Sequence, residues 1–143
     1  MEELKKGGLI ELRLREMMPR LSNEDLNETK LSIVVSDPSL PDNPIIYTNQ
    51  AFYDLTEYSS DEVIGKNCRF LQGENTSKEG VESMTKAIRE KRELTIKIYN
   101  YTKSGKGFWN LLFIAPVFEE GLKIKYFVGI QTKIREIEQV LTS

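Results

Sequence analysis

Apolar and polar residues alternate with the two-residue period of β-strands along the last third of the chain. The alternating runs are Leu94–Tyr101, Gly107–Phe118 and residues 123–133. Short glycine-containing turns at residues 103–106 and 119–121 separate them. Because connections this short join antiparallel neighbours, the pattern predicts an antiparallel sheet of three long strands.

Two shorter apolar runs at residues 31–36 and 45–47 predict two further strands, joined by a proline-containing loop at residues 37–44. Helical patterns lie between these early strands and the long late ones. Strands and helices ordered in this way predict an α+β domain with one five-stranded antiparallel sheet.

Three short helices are predicted after the second strand, because residues that cap helix N-termini occur there at close spacing. Asn49 caps the first of these helices. Ser59 and Glu62 form a capping box for the second. Asn67 caps the third, which begins at Cys68.

The longest internal helix is predicted over residues 77–91, with Thr76 and Glu79 as its capping box. One face of this helix carries apolar residues at helical spacing. Those residues are Val81, Met84 and Ile88.

Segments 1–28 and 134–143 flank the predicted domain, which spans residues 29–133. Apolar residues at helical spacing predict a short amphipathic helix in the first segment, and a frayed tail is the alternative. The second segment has the spacing of the start of an output helix, and a solvated tail is the alternative. The apolar residues concerned are Ile10, Leu14, Met17 and Leu21, then Ile134, Ile137 and Leu141.

The composition excludes several kinds of chemistry. The chain has 143 residues, one cysteine and no histidine, so it can form neither a histidine-ligated metal site nor a Ser-His-Asp triad. Its net charge of −2 gives no electrostatic basis for binding nucleic acid or an anionic membrane. No membrane span or signal peptide is recognisable. We therefore expect a cytoplasmic protein without a metal.

Three carboxamide side chains lie in phase with the apolar residues of the long strands. They are Asn100, Asn110 and Gln131, one on each strand. A buried amide without a hydrogen-bond partner costs about 1–3 kcal/mol. The three amides therefore form either a structural network or the binding edge for a flat ligand with both donors and acceptors.

The opposite face of the same strands is apolar as well, and a surface this broad is expected to be covered. The terminal helices and a second subunit, in a homodimer, are the two candidates for the cover. The residues of this outer face are Trp109, Leu111, Phe113, Ala115, Ile124, Tyr126, Val128 and Ile130.

The motif around the single cysteine is Gly65-Lys66-Asn67-Cys68-Arg69-Phe70-Leu71-Gln72-Gly73. It resembles the signature of LOV domains, the flavin-binding photosensory branch of the PAS fold. Further similar segments extend from about residue 32 to residue 133, and plant phototropin LOV domains look closest. These segments are Asp37-Pro38, Pro41-Asp42-Asn43-Pro44, Leu55-Thr56-Glu57-Tyr58, Asn100-Tyr101-Thr102-Lys103-Ser104-Gly105, Phe108-Trp109-Asn110 and Gly129-Ile130-Gln131.

The resemblance implies a PAS fold and a blue-light photoreceptor rather than an enzyme. It implies that Cys68 bonds reversibly to C4a of a bound flavin under blue light. Asn100 and Asn110 are then expected to hold the pyrimidine edge of the flavin, and Gln131 to lie near N5 and O4. The ribityl chain, phosphate or ring is expected to contact Asn67, Arg69, Leu71 and Gln72. The remaining pocket residues implied are Val34, Ser36, Asn43, Val81, Met84, Ile88, Leu112, Ile114, Phe127 and Gly129.

The side-chain chemistry of Arg69 and Cys68 is compatible with the roles that the resemblance implies. The planar fork of Arg69 matches a phosphate group, and a helix start adds backbone N–H groups for an anion. A helix start also stabilises a thiolate at Cys68, whereas an apolar surrounding favours the protonated thiol. The sequence leaves both states of the thiol open.

Two residues depart from the pattern of the family. Thr85 stands where many LOV domains carry a second phosphate-binding arginine. Flavin mononucleotide (FMN) is the expected cofactor, but this change weakens phosphate binding or admits flavin adenine dinucleotide (FAD). Lys133 stands where an acidic residue is frequent, which puts the coupling to a C-terminal helix in question.

Two other functions are compatible with parts of the sequence. A PAS-type dimerisation or interaction module without photochemistry fits the apolar outer face. A flavin oxidoreductase fits less well, since no dinucleotide-binding glycine fingerprint is present. The effector or partner of a photosensor cannot be read from these residues.

Overall fold

The computed structural model describes residues 31–121 and 123–134. Five strands form one antiparallel sheet in the order β2-β1-β5-β4-β3. This confirms the five-stranded sheet predicted from the sequence. The strands are β1 (Ser32–Ser36), β2 (Ile45–Thr48), β3 (Leu94–Tyr101), β4 (Gly107–Phe118) and β5 (Ile124–Ile134).

Four helical segments connect β2 to β3, where the sequence placed them. They are α1 (Gln50–Thr56), α2 (Ser60–Val63), a 3₁₀ helix (Cys68–Leu71) and α3 (Lys78–Arg89). The predicted caps of the three short helices are present. Asn49 Oδ1 accepts from the Phe52 amide at 3.2 Å, and Glu62 Oε1 accepts from the Ser59 amide at 3.0 Å.

The predicted cap of α3 was wrong by one residue. Ser77 is the N-cap, and its side chain accepts from the Gly80 amide at 3.2 Å. The Thr76 hydroxyl is used elsewhere, because it donates to the Tyr99 carbonyl at 2.6 Å and accepts from the Gly73 amide at 2.9 Å. Thr76 therefore ties the loop before α3 to the edge strand β3.

The predicted turns between the long strands are confirmed, with Gly105 at φ +89° and Gly121 at φ +78°, a region that glycine enters without strain. The turn between β3 and β4 is also fixed to the helices. Its Lys103 amide donates to the Thr56 carbonyl at 2.9 Å, and Lys103 Nζ lies 2.7 Å from Glu62 Oε2. We call this set of contacts the hairpin brace.

The apolar side chains beneath the sheet form two clusters. The first joins β1 and β2 to the short helices and contains Val34, Ile45, Phe52, Val63 and Leu71. The second joins β3, β4 and β5 to the apolar stripe of α3 and contains Ile98, Leu112, Ile114 and Phe127. Each fully buried side chain of this size stabilises the fold by about 1.5–3 kcal/mol.

On the outer face of the sheet, Trp109 and Leu111 are each 37% exposed. The alternation placed two residues on this face that the structure brings to the inner side. Ile124 packs against the second cluster, because the β4–β5 register shifts between Val117 and Phe118. Val128 is among the residues that line the cavity between the sheet and the helices. The predicted flanking helices lie outside the described residues, except that Ile134 ends β5. Which element covers the outer face, and whether the chain dimerises through it, stay predictions.

Candidate functional site

A cavity of about 380 Å³ lies between the sheet and the helices. This volume is within the range of small-molecule sites, roughly 300–1,000 Å³. Every predicted site residue except Asn110 lines the cavity. Four further residues that were not predicted as pocket residues also line it: Asp42, Thr85, Ile98 and Val128.

Two walls of different construction enclose the cavity. We call the residues of β1, β3, β4 and β5 the sheet wall. We call the 3₁₀ helix, α3 and the loop of residues 37–44 the helical wall. The sheet wall carries the three amides predicted on the long strands, and the helical wall carries the thiol, the charged groups and the carboxamide of Asn43.

Strand pairing brings the predicted amides to the sheet wall. Asn110 pairs with Ile98 across β3 and β4, and Gln131 pairs with Leu112 across β4 and β5. Asn110 is fully buried, and Asn100 and Gln131 are each 4% exposed. The alternation rule therefore located all three amides on the buried face of the sheet.

Asn110 reaches the cavity through its neighbour rather than directly. Its Nδ2 donates to Asn100 Oδ1 at 2.9 Å, and Asn100 lines the cavity. The Oδ1 atom of Asn110 is buried and has no hydrogen-bond partner among the described residues. Because an unpaired buried acceptor costs about 1–3 kcal/mol, Asn110 is suited to accept from a donor that a ligand provides.

Gln131 has a partner that sequence reasoning missed. Ser32 lies opposite Gln131 in the β1–β5 register, and its hydroxyl donates to Gln131 Oε1 at 3.2 Å inside the protein. This bond engages the Oε1 acceptor of Gln131. A serine hydroxyl can also accept, so it can follow the amide if the amide rotates.

Gly129 sets the contact between two strands of the sheet wall. A Cβ atom at this position would lie 2.8 Å from Val34 Cγ1 on the neighbouring β1. The valine is branched at Cβ and is held within a buried strand, so it yields little. Glycine is therefore required here for close packing beneath the cavity.

Cys68 begins the 3₁₀ helix of the helical wall and lines the cavity. Asn67 fixes this start, because its Oδ1 accepts from the Arg69 amide at 3.0 Å and its Nδ2 donates to the Asp42 carbonyl at 2.8 Å. The predicted free N–H groups for an anion are thus reduced, since the Arg69 amide is already bonded.

Burial raises the pKa of the Cys68 thiol to about 12, and a backbone hydrogen bond opposes this shift only in part. Of the two states that the sequence left open, the protonated thiol is therefore favoured. The four-residue helix is too short for its dipole to reverse the effect of burial. The group on the cavity wall is an S–H donor near neutral pH.

Arg69 and Asp42 form a bidentate ion pair, in which Nη1 lies 2.6 Å from Oδ2 and Nη2 lies 2.6 Å from Oδ1. Both side chains line the cavity and are more than half exposed, so they lie at its open end. Hydrogen bonding to Arg69 lowers the pKa of Asp42 from its usual value. The arginine fork that was predicted to meet a phosphate is thus already held by a carboxylate.

The loop that carries Asp42 has an unusual backbone. Asp42 and Asn43 have φ values of +67° and +47°, in the left-handed region that Asp and Asn tolerate better than most residues. Asn43 Oδ1 is buried without a hydrogen-bond partner among the described residues, and Asn43 lines the cavity. It is a second acceptor available to a ligand.

Comparison with known proteins agrees with this geometry. A profile of the PAS domain family matches residues 30–136. Phototropin-2 of Oryza sativa subsp. japonica is 45% identical over 106 residues, which are 74% of this chain and 12% of that protein. Blue-light-activated histidine kinase 1 of Erythrobacter litoralis is 42% identical over 124 residues, 87% of this chain and 34% of that protein.

Solved structures narrow the family further. The LOV domain of an Erythrobacter litoralis blue-light activated histidine kinase is 46% identical, with a TM-score of 0.71, over 74% of this chain and 97% of that chain. The dark structure of the Aureochrome1 LOV domain is 38% identical, with a TM-score of 0.77, over 82% of this chain and 86% of that chain. The chain belongs to the PAS domain family and, within it, to the LOV domains.

The chain spans between about an eighth and a third of the length of the curated relatives described above.

Within residues 31–121 and 123–134, no helix has both the length and the apolar character needed to cross a bilayer. In the same residues, no three His, Cys, Asp or Glu side chains are arranged to hold a metal ion. The predicted cytoplasmic location stays a prediction.

Proposed function

We propose that this chain is a blue-light sensing module that holds a flavin in the cavity and bonds it reversibly through Cys68. The observation that carries the proposal is the pairing of two features across one cavity. On the helical wall, Cys68 lines the cavity, and its burial favours the protonated thiol. On the sheet wall, Asn110 has a buried Oδ1 atom without a partner among the described residues and is bonded to Asn100, which lines the cavity.

The polar atoms of the site fit a flavin. The pyrimidine edge of a flavin presents two carbonyl acceptors around one N–H donor. The unpartnered Asn110 Oδ1 can accept from that donor, and the amide nitrogens of Asn100 and Gln131 can donate to the carbonyls. The apolar side chains of Leu112, Ile114 and Phe127 suit the flat ring.

The protonated thiol suits the photochemistry. A bound flavin would absorb the blue light, and its excited ring would be open to attack by a thiol. The addition would need no external oxidant or reductant, because Cys68 would supply the sulfur that bonds to C4a and also the proton that N5 takes up. Cys68 provides both atoms, and light and dark interconvert the two states without turnover of a substrate.

Gln131 can respond to the change at N5. A protonated N5 would donate a hydrogen bond rather than accept one, and the carboxamide of Gln131 could then accept that bond by rotating. Rotation exchanges the positions of Oε1 and Nε2, which changes the bond to Ser32 on β1. We propose that the signal leaves the site through β1 and β5, which carry these two side chains.

Among flavins we propose FMN, whose tail phosphate would reach the open end of the cavity, where Arg69 stands paired with Asp42. A longer tail leaves through the same opening, so FAD is a possible second ligand. Thr85 lines the cavity at the position where many LOV domains carry a second arginine, so this region has one cation fewer. The Thr85 hydroxyl donates to the Val81 carbonyl at 3.0 Å.

The test is an absorption spectrum of the purified full chain before, during and after blue illumination. We expect flavin absorbance that bleaches in the light and recovers in the dark. Cys68→Ala should keep the colour and fluorescence but lose the bleaching completely, since no other cysteine is present. A colourless protein that takes up no added flavin would refute the proposal and favour the interaction module.

A further inference from the structure

The cavity has an unusual balance of charge at its open end. Its described lining contains two charged side chains, Asp42 and Arg69, and they are bonded to each other. The local net charge of this pair is zero. An anionic group that arrives there meets a cation whose fork is occupied and a carboxylate that repels it.

The carboxylate is held in place by more than the ion pair. The Asp42 carbonyl accepts from Asn67 Nδ2 at 2.8 Å, two residues before Arg69. The Asp37 amide donates to the Pro44 carbonyl at 3.0 Å, which closes the loop on both sides of Asp42. Asp42 is therefore positioned against Arg69 by the backbone of the loop.

We propose that Asp42 sets the flavin specificity of this chain by competing with a flavin phosphate for Arg69. This inference rests on the proposed flavin site. The phosphate of FMN must displace or share the fork of Arg69, so it adds little to the affinity that the ring provides. The chain accordingly accepts riboflavin, which has no phosphate, almost as well as FMN.

The experiment is a fluorescence titration of the flavin-free full chain with riboflavin and with FMN. For the unmodified chain we expect dissociation constants within about threefold of each other, the scale of one exposed ion pair. Asp42→Asn should raise FMN affinity about three- to tenfold and leave riboflavin affinity unchanged. Asparagine tolerates the left-handed backbone of this position, so the loop is preserved.

Two controls separate this role from general charge and from loop stability. Glu90→Gln removes the same charge from the exposed Glu90–Arg92 pair, which does not line the cavity, and should leave the ratio of FMN to riboflavin affinity unchanged. In an Arg69→Gln background, Asp42→Asn should no longer raise that ratio. High salt should reduce the gain from Asp42→Asn because the groups are exposed.

Each outcome bears on the proposal. A ratio that Asp42→Asn leaves unchanged would overturn it, as would an unmodified chain that already prefers FMN by a factor of about a hundred, far beyond one exposed pair. An equal loss for both ligands would show that Asp42 only holds the loop, and this also overturns it. Failure of the unmodified chain to bind either flavin would refute the proposed function itself, whereas binding with an unaltered ratio refutes only the specificity role.

Discussion

The two walls of the cavity differ in how they hold their functional groups. On the sheet wall, Asn110 and Gln131 lie on the backbone ladder of β4 and β5, and each is nearly excluded from solvent. On the helical wall, Cys68 lies on a four-residue helix whose start depends on the side chain of Asn67. In the proposed site, rigid strands therefore place the amides that would recognise the flavin, and a four-residue helix places the thiol that would bond it.

The two walls also differ in whether their polar side chains are charged. The sheet wall buries neutral amides, which can exchange donor and acceptor without the cost of burying an ion. The charged pair of Asp42 and Arg69 stands on the helical wall, where both side chains remain in solvent. Substitutions on the sheet wall should therefore have the larger effects on folding and affinity.

The largest expected difference between the walls comes from adding one methyl group to each. Gly129→Ala places a Cβ atom 2.8 Å from Val34 Cγ1, and this overpacking should destabilise the fold by about 1–3 kcal/mol. Gly80→Ala in α3 meets its nearest side-chain atoms at 3.6–3.7 Å. It should stabilise the fold by about 0.5–1 kcal/mol through helix propensity. Urea unfolding of both variants measures the difference, and equal effects would contradict the contrast.

The next effect concerns recognition by the buried amides. Asn110→Leu removes the donor to Asn100 Oδ1 and the unpaired acceptor together. Flavin affinity should fall about tenfold, or about 1.4 kcal/mol, in a fluorescence titration. Thr132→Val, on the exposed outer side of β5, is the matched control and should leave affinity unchanged. An unaltered affinity in Asn110→Leu would remove the amide from the site.

A smaller effect is expected where the helical wall is capped. Asn67→Ala loses the acceptor for the Arg69 amide and the donor to the Asp42 carbonyl, and should cost about 1 kcal/mol of stability. Asn67→Asp restores the acceptor but not the donor, so it should recover part of that loss. If the two variants unfold at the same urea concentration, the cap is not what holds this helix.

The smallest effect should come from the hairpin brace in acid. Lys103, and then the Ser59 backbone, lower the pKa of Glu62 to about 2 from its usual 4.5. Because the folded pKa is the lower one, the brace stabilises the fold above about pH 4.5 and is lost as the pH falls toward 2. Glu62→Gln should lose this pH-dependent part of the urea midpoint, whereas Asp61→Asn should retain it. A parallel pH profile in Glu62→Gln would show that the brace contributes nothing.

Much of the sheet wall could be predicted because its signals are local. The alternation of apolar residues located Asn100, Asn110 and Gln131 on one face, and the caps at Asn49 and Asn67 marked two helix starts. The cap of α3 was placed one residue early, since Thr76 and Ser77 are both good caps. Only the fold shows that the Tyr99 carbonyl takes the Thr76 hydroxyl.

The contacts that could not be predicted join residues far apart in sequence. The bond between Ser32 and Gln131 depends on the β1–β5 register across 99 positions. The ion pair of Asp42 and Arg69 spans 27 positions and depends on the left-handed turn of the loop. No periodicity encodes either contact. The state of the Cys68 thiol likewise depended on burial, which competes with the helix start and is decided only in the folded chain.

The central claim is tested most directly by the infrared difference spectrum of the S–H stretch, recorded on the flavin-loaded chain in the dark and under blue light. The chain has one cysteine, so the band belongs to Cys68 alone. We expect the band to be present in the dark, to vanish in step with the bleaching of the flavin, and to return in the dark. A band that persists while the flavin bleaches, or one that is absent from the start, would contradict a protonated Cys68 as the group that bonds the flavin.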